Sequence, residues 1–286
     1  MVNALTFDVE EYFHAEVFAG VVRPEEWPGL ESRVVESTMR LLELLAETGT
    51  AATFFVLGWV AARHPSLVRA IQQQGHEVAC HGYGHQMITR QSRTQFAEDV
   101  GRAKKTIENT TGAPVIGYRA PTFSVVRATL WCLEILLECG FRYDSSIFPI
   151  VHDRYGIPEA ARFPHRLVVA PDLEITEFPL STVSPLGWRC PVAGGGYFRL
   201  FPYRFTRWAI RHLNEREGQP AIVYLHPWEL DPGQPRLPIG RMAQWRHSVN
   251  SGTTVRRLRR VVRDFQFAPV REVLAGARIL PARKVA

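Results

Sequence analysis

Cysteine is sparse in this chain. Cys80, Cys132, Cys139 and Cys190 are the only four, and no two form a C-x-x-C pair, the spacing of dithiol and zinc-thiolate sites. Cys132 and Cys139 lie seven apart on an expected helix, as buried thiols. The set points to a reduced, cytoplasmic setting. Long apolar runs are missing too: nothing approaches the roughly 18 residues that cross a bilayer. Met1 leads straight into the apolar segment Ala4–Val9 without a basic n-region or a long h-region, so no signal peptide is expected. Internal repeats and low-complexity segments are also absent.

What is present is ordinary globular composition, 46% hydrophobic and 22% charged over 286 residues. That length suits an α/β barrel with one core. Short apolar strands alternate with longer helical patterns, the signature of βα units. Strands are expected at 4–9, 52–57, 76–81, 115–120, 141–146 and 221–226. Helices are expected at 34–47, 65–74, 92–109, 128–139 and 202–217, the third opened by the capping box Ser92–Gln95. The Pro- and Gly-rich stretch 147–196 reads as loops covering a site, with one strand at 173–179. We expect a single domain over 1–286, with catalytic motifs in 4–230 and a C-terminal helical extension in 231–286.

The net charge is +6, with Arg256, Arg257, Arg259, Arg260 and Arg263 clustered late in the chain. Leu258, Val261, Val262 and Phe265 between them form an apolar stripe at helical spacing, so the arginines read as the solvated face of an amphipathic helix. No aromatic-rich recognition motif accompanies them, and no nucleic-acid partner is expected. Peripheral contact with a membrane through this helix stays open, as does the oligomeric state.

Several strands end in polar groups: Asp8 and Glu10, His81 and His85, Arg119, Asp144 and His226. The carboxyl ends of parallel strands are where α/β folds build their sites. Three carboxylates close together, Asp8, Glu10 and Glu11, repel one another unless a cation or proton compensates them. Period-two alternation puts Asp8 and Glu10 on one side and Glu11 on the other, toward the barrel wall or solvent. HGYGH (81–85) brings two imidazoles within reach of one metal, and a carboxylate would complete a hydrolytic His₂-carboxylate site. His226, near neutrality in pKa, is a candidate general acid. Arg119 is placed to orient the carboxylate left free.

The set TFD (6–8), HGYGH (81–85), YRAP (118–121), the strand with Asp144 and LHPWE (225–229) resembles the NodB-type polysaccharide deacetylases, carbohydrate esterase family 4. DVEEYF, GGGYFRLFPY (194–203) and HPWELDP (226–232) more narrowly resemble the deacetylases of exosortase-associated exopolysaccharide loci. The resemblance implies a distorted, incomplete TIM-like (β/α) barrel of the NodB homology type. It implies hydrolysis of N-acetyl groups on hexosamine residues of an exopolysaccharide or its oligosaccharide precursor. By it, Asp8 matches the base and Arg119 the residue that holds it. His81 and His85 match metal ligands, His226 matches the acid, and Asp144 begins the motif that supports this acid. The family's usual second Asp, the metal-binding one, is Val9 here, so Glu10 becomes the expected ligand. The cofactor expected is a divalent metal, zinc first, with cobalt and nickel as alternatives. Pro121, Asp144, Tyr197 and Trp228 are the expected substrate contacts, with backbone N–H groups of Ala120–Thr122 on the oxyanion. Two rival readings are an amidohydrolase of small amides on the same barrel and a non-catalytic carbohydrate-binding protein.

Overall fold

The computed structural model describes residues 1–192 and 194–284. Strand and helix alternate through the first half. β1 (Val2–Val9) leads to α1 (Val34–Thr48), β2 (Thr53–Val56), α2 (Gly58–Arg63), α3 (Pro65–Gln73) and β3 (Glu77–Cys80). Then come α4 (Arg93–Thr111), β4 (Gly117–Tyr118), α5 (Cys132–Glu138) and β5 (Tyr143–Asp144). The second half starts with β6 (His165–Ala170), β7 (Leu173–Glu177), β8 (Thr182–Val183), β9 (Cys190–Pro191), α6 (Gly195–Leu200) and α7 (Tyr203–Glu215). It continues with β10 (Ile222–Leu225), α8 (Arg241–Ser248), α9 (Thr254–Asp264), β11 (Gln266–Ala268), α10 (Val270–Gly276) and β12 (Leu280–Lys284). Local chemistry marks the helix ends: Ser92 and Gln95 form the expected reciprocal cap on α4, and Gly112 ends that helix at φ 68°.

The main sheet runs β10-β1-β2-β3-β4-β5-β7-β6-β12, with β11 also on β1. Its pairings are parallel except for the β6–β7 hairpin. The sheet curls into a half-barrel with helices outside, the incomplete barrel anticipated above. β1 pairs with β10 and β5 with β7, so one sheet runs through both halves of the chain.

Alternation sorts every strand into two faces. Leu5, Phe7, Val9, Phe54 and Val56 join the core between sheet and helices. Ala4, Phe55, Ala79, Tyr143, Ile222 and Tyr224 form a second core inside the curl. Two residues further along the same inward face come Asp8 after Thr6, His81 after Ala79 and His226 after Tyr224. The polar groups thus sit on an apolar floor at the carboxyl ends of the strands. Gly194 makes room for that floor, since a Cβ there would fall 1.7 Å from the Tyr224 ring.

The structure departs from the sequence reading in four places. β4 and β5 are two residues each, shorter than the expected strands 115–120 and 141–146. α2 was hidden in a six-residue segment too short to show a helical period. The covering region holds β6, whose hairpin to β7 turns at Asp172 with φ 60°, and the short helix α6. The region after 231 is not purely helical: β11 joins β1 and β12 joins β6. The arginine helix α9 buries Leu258, Val261 and Val262 as expected. Arg257 donates to the carbonyls of Phe198, Arg199 and Phe201, Arg259 pairs with Glu47, and Arg260 lies over Tyr203.

Candidate active site

The three opening carboxylates have three different fates. Asp8 Oδ1 accepts from Arg119 Nη1 at 2.8 Å. Arg119 is fully buried and otherwise spent on Thr6 Oγ1, the Ser145 carbonyl and Ser145 Oγ. Its guanidinium also lies 4.1 Å from the Phe55 ring centroid. This fixes Asp8 and leaves Oδ2 free. Glu11 faces away from both, toward neither wall nor solvent. It accepts from Ser32 Oγ and from the backbone N–H groups of Arg33 and Val34, satisfying orphan donors where α1 begins.

Glu10 is the third. Its Oε1 accepts from Trp228 Nε1 at 3.0 Å. Its Oε2 is buried with no hydrogen-bond partner, although His85 Nε2 is 2.6 Å away and His81 Nε2 is 4.0 Å away. The short contact with His85 brings two candidate ligand atoms together. Burial pushes the Glu10 carboxyl up, but His85, His226 and His81 outweigh it and hold the pKa well below the usual range. His81 Nδ1 bonds the Arg119 carbonyl at 2.8 Å, which puts its proton on Nδ1 and leaves Nε2 as a lone pair. Burial lowers its pKa to about 4, so it is neutral at pH 7. Ligand atoms of Glu10, His81 and His85 all lie within 4.8 Å of one another. An orphaned carboxylate oxygen, a neutral imidazole of fixed tautomer and a second imidazole are what a divalent cation requires.

The HGYGH loop is shaped for this. Gly82 takes φ 76° and His85 takes φ 49°, turning the chain back after β3. Asp99 on α4 holds the turn by accepting from Tyr83 N and Gly84 N, at 2.8 and 3.1 Å.

His226 faces the pair from β10. Its Nε2 lies 3.9 Å from Asp8 Oδ2 and 3.8 Å from Glu10 Oε1. Its Nδ1 bonds Glu229 Oε1 at 2.8 Å. Glu229 Oε2 in turn meets Arg199 Nε at 2.5 Å, and Arg199 Nη1 also donates to the His247 and Val249 carbonyls. Burial alone would lower the His226 pKa, but its bond to Glu229 and the charges of Glu10, Glu229 and Asp8 raise it to about 9.

Asp144, assigned above to the support of this histidine, does not reach it. It is fully buried, which raises its pKa to about 6, and it accepts from Ser146 Oγ at 2.5 Å. Glu229, three residues after His226, holds the imidazole instead. That role could have been read from HPWE, where a carboxylate returns at capping distance. Arg199 gave no such signal.

The site opens into a cleft of about 170 Å³. Pro121 is buried at the start of a turn whose Thr122 and Phe123 take φ 54° and 51°. Of the expected oxyanion donors, Ala120 N is spent on Ser146 Oγ and proline has no N–H. Thr122 lines the cleft. Trp228 lines it too, but His226 and His247 stack on its ring at 4.7 and 4.6 Å, which occupies the indole face. Its contribution is the bond to Glu10. Tyr197 stands behind the cleft wall, against Phe148 and Phe201. Tyr155 lines the wall in its place.

The half-barrel thus brings a Glu10–His81–His85 cluster, an arginine-held aspartate and a histidine backed by a carboxylate to one cleft. Residues 4–143 match the family model Polysaccharide deacetylase, and residues 145–275 match a Domain of unknown function (DUF3473). The first of these segments is thus similar to polysaccharide deacetylase domains. A peptidoglycan deacetylase-like protein of Gibberella zeae is 33% identical over 110 residues, 38% of this chain and 32% of that protein. The peptidoglycan deacetylase of Helicobacter pylori is 32% identical over 108 residues, 38% of this chain and 36% of that protein. The matches thus span about a third of those relatives' length. Two solved structures share the fold. A Mycobacterium smegmatis protein assigned to the polysaccharide deacetylases has TM-score 0.62 and 22% identity, covering 97% of this chain and 91% of the other. A family 4 carbohydrate esterase from Streptomyces lividans has TM-score 0.52 and 17% identity, covering 99% and 98%.

Proposed function

We propose that this protein hydrolyses N-acetyl groups from hexosamine residues of an exopolysaccharide or its oligosaccharide precursor. The observation that carries this reading is the orphaned Glu10 Oε2, ringed by His85 and His81 and flanked by Asp8 and His226. Glu10, His81 and His85 would hold a divalent cation, zinc first, with cobalt and nickel as alternatives. Such a cation supplies Lewis-acid polarisation of the acetamide carbonyl and of the attacking water.

The chain's own groups carry the protons. Asp8 Oδ2, left free by the Arg119 clamp on Oδ1, takes the proton of the water that attacks the carbonyl carbon. Thr122, on the cleft wall, would offer its N–H to the tetrahedral oxyanion. His226, protonated on Nε2 and oriented through Nδ1 by Glu229, gives its proton to the leaving nitrogen. The C–N bond breaks, and acetate and a free amine leave. Arg199 keeps Glu229 ionised, so it positions the acid without touching substrate.

Acetate release from N-acetylated oligosaccharides by the zinc-, cobalt- or nickel-loaded protein tests the reading, beside a panel of small amides. Turnover of the oligosaccharides with loss of metal in Glu10→Gln is expected. Hydrolysis of small amides alone would move the assignment to an amidohydrolase. Saccharide binding with neither metal uptake nor acetate release would make the chain a carbohydrate-binding protein.

A further inference from the structure

Helices α7 and α9 lie side by side on the outside of the half-barrel. Arg257 Nη1 donates to the carbonyls of Phe198, Arg199 and Phe201. Arg260 lies over the Tyr203 ring, and Arg207 pairs with Asp264. These contacts advance together along both segments, so the two helices run parallel. Each turns an apolar stripe to the core, Ala209, Ile210 and Leu213 on α7 and Leu258, Val261 and Val262 on α9.

What they leave outside is basic. Arg204, Arg207 and Arg211 are exposed on α7, and Arg256, Arg260 and Arg263 on α9. The acids of these two helices, Glu215 and Asp264, are taken by Arg211 and Arg207. Arg204, Arg256, Arg260 and Arg263 have no acidic partner among the described residues.

A face that only meets water would need nothing more, but this one also carries apolar groups. At about 100° per residue, Tyr203 and Arg207 face α9, while Phe205 and Trp208 fall on the other flank of α7. There Phe201, Phe205 and Trp208 form a ladder with ring centroids 4.8 and 5.6 Å apart. Its outermost ring, Trp208, is 45% exposed, and Leu200, where α6 meets α7, is 48% exposed. None of these residues lines the catalytic cleft. Uncompensated arginines beside an open tryptophan and leucine match the boundary between water and a bilayer. Tryptophan settles there at the headgroups, and basic segments are drawn to anionic lipid. A soluble polyanion would engage the arginines and leave the apolar groups in water.

We propose that the α7–α9 face docks this protein on a bilayer of anionic phospholipids. The four uncompensated arginines meet lipid phosphates, and Trp208 and Leu200 enter the headgroup layer. This docking is independent of the deacetylase reading.

The test is cosedimentation of the full chain with vesicles of equimolar phosphatidylglycerol and phosphatidylcholine, beside vesicles of phosphatidylcholine alone. Wild type should bind the anionic vesicles at least about ten-fold more tightly, and less tightly as salt rises. Arg204→Glu with Arg263→Glu should weaken that binding at least about 20-fold. Arg69→Glu with Arg142→Glu changes the net charge equally at exposed positions on α3 and before β5. That control should cost at most about two-fold, since charge away from the surface is screened. Trp208→Ser should weaken vesicle binding about five-fold. Leu200→Ser, outside α7, should act in the same sense and serves if Trp208→Ser perturbs the helix, which thermal melting by circular dichroism reads. No preference for anionic vesicles, or equal losses in the two double variants, overturns the face. Vesicle binding that ignores both Trp208→Ser and Leu200→Ser overturns the bilayer in favour of a soluble polyanion. Binding of dextran sulfate as tight as that of the vesicles, by calorimetry, would do the same.

Discussion

The two halves of the chain contribute to one cleft in different ways. Residues 4–143 carry the proposed base and metal ligands, two of them set by Arg119, while Glu10 is held across the halves by Trp228. Arg119 clamps Asp8 and its carbonyl orients His81, so one residue sets both base and ligand. Residues 145–275 carry the acid, and there the support is a relay of side chains, Arg199 to Glu229 to His226. The first arrangement stores its precision in the sheet. The second depends on buried charges balancing one another, and is the more easily unbalanced.

The sharpest break of this comparison is His81→Ala. It should abolish cation binding by calorimetry and lower acetate release by more than about 10⁴-fold, since positioning and polarisation vanish together. Asp8→Asn should cost about 10³- to 10⁴-fold in kcat while cation affinity stays within a few-fold. Equal loss of metal in both variants would show that Asp8 is itself a ligand. His226→Ala should cost about 10²- to 10³-fold with the metal retained.

The acid's pH behaviour follows from its surroundings. The His226 pKa is raised to about 9 in the metal-free protein. Its protonated form, and the stabilisation that comes with it, are fully present below the unfolded value and fade as pH rises through about 9. NMR titration of the metal-free protein should find this value. A bound cation compensates the Glu10 charge and lowers it, which brings the alkaline limb of the rate down toward neutrality. Glu229→Gln lowers it further and reduces kcat about ten-fold. The smallest effect on chemistry belongs to Glu11→Ala. It should cost about 1–2 kcal/mol of stability in urea unfolding, with kcat/KM and metal content unchanged.

Much of the site was legible as polar groups at strand ends. Asp8, His81 and His226 fall at the ends of the expected strands 4–9, 76–81 and 221–226, and the structure brings them to one cleft. Glu10 was legible for the same reason. Glu11 was not, because its partners are backbone donors some 20 residues later, at a helix start that shows no local capping residue. Asp144 bonds Ser146 in the structure, while Glu229 is the carboxylate on His226. The aromatic residues were misjudged in kind: Trp228 and Tyr197 are large rings in a Gly-rich region, and nothing in composition distinguishes a ring stacked by its neighbours from one left open. β6 and β12 come from opposite sides of the arginine helix and find each other only through tertiary pairing.

The Glu11 carboxylate, bound to Ser32, Arg33 and Val34, has one more consequence. It clasps both ends of the 12–31 segment at a single point, one residue from Glu10. The 12–31 loop is thereby tied at its root beside Glu10. Its apolar cluster packs on Trp228, which bonds the Glu10 carboxylate, so a change in the loop is felt at Glu10.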